Sequence, residues 1–233
     1  MIRVADLVHR YGDTAAVDGL DLTIDNGECV ILAGANGSGK TTLVRHFNGL
    51  LEPDEGTVHV NDSDVSENLV AARTAVSMVF QRPEDQLVAA TIGADVAFGP
   101  ENLGLDRDEI DRRVHDALAA VNLDGREKER VDALSGGEIE RLAIAGALAM
   151  QPDHLVLDEP FTGLDEPARQ SVLSRLRDLR ASGTSLIVVT HDLRDVSELA
   201  DRVVVLSDGQ VALDGAPEAV ADDLPDLDVR PPC

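Results

Sequence analysis

Residues 29–42 read Cys-Val-Ile-Leu-Ala-Gly-Ala-Asn-Gly-Ser-Gly-Lys-Thr-Thr, and this stretch decides the fold. Cys29 to Ala33 is a continuous apolar run, the pattern of a strand covered on both faces, and Gly34 begins a glycine-rich turn. Thr41 to Leu51 then carries Leu43, Val44, Phe47 and Leu50 at helical spacing, with Pro53 and Gly56 as a stop. In this setting Gly34 to Thr41 is a complete match to G-x-x-x-x-G-K-[ST], the phosphate-binding loop. Glycines let such a loop wrap with its backbone N–H groups facing the phosphates, and the helix that follows offers its positive end. The expected phosphate-binding set is Gly34, Ala35, Asn36, Gly37, Ser38, Gly39, Lys40, Thr41 and Thr42. Lys40 supplies a point charge to the β and γ phosphates, and Thr41 a hydroxyl to Mg²⁺.

Outward from this loop, Val17 to Ile24 alternates apolar and polar residues, Asn26-Gly27 is a turn, and Val76 to Phe80 is a second short apolar run. From Arg82 to Gln151 the pattern turns helical: Asp106 to Asn122 places Ile110, Val114, Ala117, Leu118 and Val121 on one face, and Ser135 to Met150 is another apolar helix. The last third alternates, with strands at Leu155 to Leu157, Leu186 to Thr190 and Val203 to Leu206, and helices at Ala168 to Arg180 and Val196 to Leu199. Strands alternating with helices predict an α/β fold with a mainly parallel sheet. The Asp- and Pro-rich tail after Asp214 reads as a short appendage.

The chain has 233 residues, 43% of them apolar, so it can bury a core. Its apolar runs fall far short of the ~20 residues of a membrane-spanning helix, and Met1 to Arg10 lacks a signal-peptide core, so a soluble intracellular protein is expected. The two cysteines, Cys29 and Cys233, imply neither a disulfide framework nor a metal ribbon. The net charge of −24 comes from 44 acidic residues against 18 Arg and 2 Lys, namely Lys40 and Lys128. Such an excess disfavours nucleic acid and anionic lipid as direct partners. Self-repulsion of this size is screened only in concentrated salt, which predicts a high-salt cytoplasm.

Two further stretches carry chemistry. Leu155-Val156-Leu157-Asp158-Glu159 is an apolar strand ending in two carboxylates, at the strand tip where open parallel sheets bind ligands. Asp158 is placed to hold Mg²⁺ and Glu159 to orient or deprotonate an attacking water. In Leu134-Ser135-Gly136-Gly137-Glu138, Ser135 is a good helix N-cap and the two glycines leave backbone N–H groups uncovered, which attracts anions.

Together these motifs resemble the ATP-binding subunits of ABC transporters. The phosphate loop, Gln81, Leu134 to Glu138, Leu155 to Glu159, Gly163-Leu164-Asp165 and His191 stand in that family's order over roughly residues 1 to 215. The resemblance implies a single P-loop NTPase domain over 1–233. Residues 1–81 and 152–215 would form the nucleotide-binding core with N-terminal antiparallel strands, 82–151 an inserted helical subdomain, and 216–233 a short tail. It implies that Tyr11 stacks on adenine, that Gln81 senses Mg²⁺ and the attacking water, that His191 contacts the γ-phosphate, and that Asp165 crosses a dimer interface. Ser135, Gly136 and Gly137 would close on ATP bound to a second ATPase subunit, a second copy or a related chain. The other histidines, His9, His46, His59, His115 and His154, show no ligand spacing and read as structural.

Phe80 to Leu105 is similar more narrowly to energy-coupling-factor and cobalt-type importer ATPases. In those relatives the segment matching Pro83, Glu84, Asp85 and Gln86 lines a groove for coupling helices of a transmembrane protein. The resemblance thus implies an ATPase with Mg²⁺, peripheral at the cytoplasmic face of the membrane, that energises import of a micronutrient such as cobalt, nickel or biotin. Its contact with a substrate-binding membrane subunit would be indirect. The alternatives are a nucleotide-gated subunit with little turnover and a soluble ABC ATPase acting on DNA or ribosomes. The second is disfavoured by the acidic charge and by only about 90 residues between Lys40 and Ser135, too few for a long coiled-coil insertion.

Overall fold

The computed structural model describes residues 1–161, 164–194 and 196–231. Strands β1 (Ile2–Tyr11), β2 (Thr14–Ile24), β4 (Glu55–Val60) and β5 (Ser63–Asp64) form an antiparallel sheet in the order β2-β1-β4-β5. The second sheet has the order β10-β9-β3-β8-β7-β6. Its strands are β3 (Cys29–Ala33), β6 (Val76–Val79), β7 (His154–Asp158), β8 (Ser185–Thr190), β9 (Arg202–Ser207) and β10 (Gln210–Gly215). All its pairings are parallel except that of β10, which hangs antiparallel on β9 at one edge. The α/β architecture read from the sequence is therefore present.

Helix α1 (Lys40–His46) follows β3, α2 (Leu69–Ala75) precedes β6, and α3 (Ile92–Asn102), α4 (Arg107–Ala120) and α5 (Gly136–Ala149) form the helical part. Helix α6 (Glu166–Ala181) and the single turn α7 (Pro217–Val220) complete the set. Period-two geometry explains how β3 serves two cores at once. Cys29, Ile31 and Ala33 face the layer of α3 to α6, whereas Val30 and Leu32 face α1 and the antiparallel sheet. Each fully buried aliphatic side chain there contributes about 1.5–3 kcal/mol.

Two expectations are corrected. The first helix ends at His46, not Leu51, because Gly49 takes φ 66 and turns the chain, so that the amides of Leu50 and Leu51 close on the Arg45 carbonyl at 2.9 and 3.2 Å. The tail is no appendage: Val220, Leu224 and Val229 are buried in the main core, and Arg230 pairs with Asp192 in a parallel bridge. Single apolar residues spaced among acids and prolines anchor it, a pattern without helix or strand period.

Candidate nucleotide site

The tips of β3, β6, β7 and β8 lie side by side, and the chemistry-bearing residues stand just beyond them. After β3 the loop turns on glycines that no other residue could replace. Gly34 has φ 144 and Gly39 φ 102, and a Cβ on either would sit 2.3 Å from a backbone oxygen, of Leu206 and Ala16 respectively. Gly39 is the N-cap of α1 and brings no side chain to its first amides. Lys40 is buried, and its Nζ donates to the carbonyls of Gly34 and Ala35, each at 2.8 Å. Burial lowers its pKa, which the nearby Glu159 and Asp158 oppose.

The Thr41 hydroxyl donates to Asp158 Oδ2 at 2.9 Å, tying the loop helix to the tip of β7. Asp158 is buried, and desolvation raises its pKa while the Thr41 bond works against that rise. The next residue, Glu159, takes φ 53, so its carboxylate turns toward the tip of β8. There Oε1 lies 2.7 Å from His191 Nδ1, and the Thr190 hydroxyl lies 3.3 Å from Oε2. A cleft of about 390 Å³ is open beside them, lined by Glu159, Phe161, Thr190 and His191 among others. The structure thus brings Lys40, Thr41, Asp158, Glu159 and His191 to one sheet edge, and adds Thr190, which sequence reasoning did not single out. Gln81 lies exposed two residues beyond β6, whose Val79 pairs with Leu157 of β7, and it forms no side-chain hydrogen bond among the described residues.

Tyr11, at the end of β1, is 53% exposed and rests edge-on against His9 at 4.8 Å between ring centroids. His9 Nδ1 lies 3.3 Å from His46 Nε2 and 3.2 Å from the Glu52 carbonyl, and His46 Nδ1 is 2.8 Å from the Thr42 carbonyl. Carbonyls only accept, so His46 carries its proton on Nδ1 and His9 donates from its own Nδ1. Burial lowers the His46 pKa, disfavouring its charged form. Two histidines that read as structural therefore link the exposed aromatic to the loop helix, a strand-to-helix contact with no sequence signal.

Ser135 caps α5, and its N–H and hydroxyl both donate to Glu138 Oε2, at 2.8 and 2.6 Å. Arg126 donates to the other oxygen at 2.5 Å. These bonds, those of Ser135 first, hold the Glu138 carboxyl at about 2. Leu134, Gly136 and Gly137 stand around this exposed helix start, whose partners belong to the helical part and not to the phosphate loop. Asp165 is exposed just ahead of α6, and Gly163 lies outside the described residues.

A groove of about 250 Å³ runs between α3, α5 and the segment after α1, bounded by Phe80, Gln86, Val88 and Phe98. Val88 and Phe98 are 60% and 49% exposed, and the buried Asn48 Oδ1 has no hydrogen-bond partner among the described residues. Of Pro83, Glu84, Asp85 and Gln86, only Gln86 lines this groove, its carboxamide turned inward to accept the Phe80 N–H at 2.9 Å. Glu84 and Asp85 turn outward and pair with Arg82, at 3.4 and 3.6 Å, within the short turn Pro83–Gln86.

No helix among the described residues is long and apolar enough to cross a membrane. Residues 17–162 match the family model described as ABC transporter. A Halobacterium salinarum relative in the ABC transporter ATP-binding group is 70% identical over the whole of both chains. An energy-coupling factor transporter ATP-binding protein of Methanocaldococcus jannaschii is 43% identical, over 96% of this chain and 82% of its own. Among solved structures, a subunit of the cbiONQ ABC transporter complex from Clostridium perfringens superposes with a TM-score of 0.83 at 33% identity, covering 97% of this chain and 96% of its own. A dimeric ATP-binding cassette in a post-hydrolysis state with ADP and Pi does so with a TM-score of 0.83 at 26% identity, over 93% of this chain and 98% of its own. With a phosphate loop, a strand-tip carboxylate pair and a facing histidine on this scaffold, the chain belongs to the ABC transporter family as an ATP-binding, ATP-hydrolysing subunit.

Proposed function

We propose that this subunit powers an energy-coupling-factor-type importer of a micronutrient, a metal ion such as cobalt or nickel or a vitamin such as biotin. The observation that carries the hydrolytic reading is the coupled set Thr41–Asp158 and Glu159–His191 at one sheet edge. ATP would lie along residues 34–42, with Tyr11 against adenine and Lys40 leaving the Gly34 and Ala35 carbonyls for the β and γ phosphates. Thr41 and Asp158 supply hard oxygen donors within 2.9 Å of each other, a set that suits Mg²⁺ completed by phosphate oxygens. Bound there, Mg²⁺ would neutralise charge on those phosphates. Glu159 would take the proton of the attacking water, with Thr190 and His191 fixing the carboxylate, while His191 presents its other nitrogen to the γ-phosphate. Gln81 would meet Mg²⁺ and water as the site closes.

The uncovered start of α5 would complete the site of a second ATPase subunit, with Asp165 at the interface, so that two chains enclose two ATP molecules. The groove at Gln86, Val88 and Phe98, flanked by Pro83, Glu84 and Asp85, would seat a coupling helix of the transmembrane subunit, and the substrate-binding membrane subunit would be reached through it. The chain would then sit peripherally, at the cytoplasmic face of the membrane. The nucleotide core would span 1–81 and 152–215, with the tail 216–233 joined to it through the buried Val220, Leu224 and Val229, and 82–151 would be the helical part. Similarity to the energy-coupling-factor and cbiONQ proteins supports the importer class.

Glu159→Gln is the decisive variant. It should lower steady-state phosphate release at least about 100-fold while ATP-dependent dimers persist. Unchanged turnover would remove Glu159 from the chemistry. Capture from membranes of a cobalt-type component or a vitamin-binding one would separate the two cargo classes.

A further inference from the structure

His191 follows the last residue of β8, and its side chain is 42% exposed. Among the described residues the imidazole has one polar contact, to Glu159 at 2.7 Å, so its aim depends on its backbone. That backbone is held from outside the sheet. The Arg230 N–H donates to the His191 carbonyl at 3.0 Å, and the Leu193 N–H donates to the Arg230 carbonyl at 3.0 Å. These two bonds bracket Asp192 in the parallel bridge to Arg230. Within the bracket, the Asp192 N–H donates to the Thr190 hydroxyl at 3.1 Å, the hydroxyl that also lies 3.3 Å from Glu159. The Asp192 carboxylate accepts from Arg194 at 2.5 Å and lies 3.5 Å from Arg230 Nη1.

The element that supplies Arg230 is itself fixed. Leu224 and Val229 are buried in the main core, the Val229 N–H donates to the Leu224 carbonyl at 3.1 Å, and Asp228, at φ 56, ends the turn between them. We infer that Leu224–Arg230 is a positioning strap for hydrolysis: by clamping the backbone of residues 191–193 it aims the His191 imidazole and, through Thr190, the Glu159 carboxylate. The strap touches neither nucleotide nor water and acts through these residues. The inference rests on the reading of His191 and Glu159 as the hydrolytic pair.

The clamp is made of main-chain bonds, so side-chain and main-chain substitutions at one position separate it from a surface ion pair. Arg230→Ala keeps the N–H and should leave kcat for ATP within about twofold, since an exposed ion pair contributes little. Arg230→Pro removes the N–H and should lower kcat about 10- to 100-fold, as small misplacements of reacting groups do, with KM for ATP within about twofold. Measurements use the purified full chain in molar salt, with melting curves alongside. In a His191→Ala background, Arg230→Pro should cost clearly less, because one of the two groups it aims is gone. A KM rise with unchanged kcat, or a loss that persists undiminished in that background, would overturn the strap. If His191→Ala alone leaves kcat intact, the reading of the pair fails and the strap with it; if His191→Ala is inactive and Arg230→Pro active, only the strap fails. Should the proline variant not fold, Arg230→Gly decides: it keeps both bonds but frees the backbone, and should lose about threefold in kcat where Arg230→Ala does not. Equal rates for the two would overturn the proposal.

Discussion

Two helix starts face phosphate in the proposed mechanism, and they are built in opposite ways. The start of α1 is buried, its N-cap Gly39 offers no side chain, and its cation Lys40 is folded back on loop carbonyls. The start of α5 is exposed and capped by Ser135, and it carries an anion of its own in Glu138, held by Ser135 and Arg126. Orphan amides at a helix start need a partner. The first helix leaves them to a ligand that one chain can bind unaided. The second ties its cap Ser135 to Glu138 and would leave the Gly136 and Gly137 amides for phosphate brought by another chain. A glycine should therefore mean something different in each.

At Gly39 the demand is made by the monomer. Its φ of 102, and the Ala16 oxygen that would stand 2.3 Å from an added Cβ, leave no room for alanine. Gly39→Ala should weaken ATP binding more than about 100-fold and destabilise the chain by about 2–4 kcal/mol, strain and displaced backbone together. Calorimetric titration with ATP and a denaturant melt would check both. Near-normal ATP affinity would break the comparison at its root.

At Gly136 nothing lies within 4 Å of an added Cβ, and the residue is already helical. Gly136→Ala should leave monomer ATP affinity alone and leave stability unchanged or raise it by up to about 1 kcal/mol. Phosphate release should still fall about 10- to 100-fold, because the methyl would stand where the proposed closure brings the other chain's phosphates. A loss of ATP binding by the monomer would show that this glycine serves its own chain.

These two starts were legible to different depths. The strand, loop and helix at 29–46 could be read because their signal is local: an apolar run, glycines at fixed offsets, then helical spacing. The pairing of Thr41 with Asp158 was within reach for the same reason, since each residue sits one step beyond a readable strand or loop. The strap was not legible, because Leu224, Val229 and Arg230 have no periodicity and their partner, His191, is remote in sequence. Likewise His9 and His46 meet only once β1 packs over α1. The groove has no such local signal, since the orientation of Gln86 and of its acidic neighbours is set by one hydrogen bond and one arginine.

The two helices also differ below their first turn. In α1 the buried charge, Lys40, has two carbonyl partners, whereas in α5 Glu140 is only 6% exposed and its Oε1 has no hydrogen-bond partner among the described residues. Burial, with the charge of Glu84, pushes its carboxyl up to about 8. The unfolded chain releases this proton near the usual carboxylate pKa, so between there and about pH 8 the folded state binds more protons and stability falls as pH rises. Glu140→Gln should therefore raise the unfolding free energy at about pH 9, by on the order of a few kcal/mol, and change it little at about pH 5. Equal effects at both pH values would mean that the group is ionised in the folded chain.

The finest distinction lies in Glu138. Its carboxyl, held at about 2, keeps a negative charge at the start of α5, where the proposed closure brings the other chain's phosphates. A carboxamide can still accept the Ser135 N–H, so Glu138→Gln should preserve the cap while removing the charge. ATP-dependent dimerisation, measured by sedimentation in a Glu159→Gln background so that ATP persists, should tighten about two- to fivefold at low salt. The gain should shrink in molar salt, where the screening length falls to about 3 Å. A gain independent of salt would point to packing, and weaker dimerisation would show that Glu138 supports closure through Arg126 instead of opposing it. If the charge opposes closure, the chain's excess of acid extends into the proposed dimer interface itself, and concentrated salt favours hydrolysis through closure.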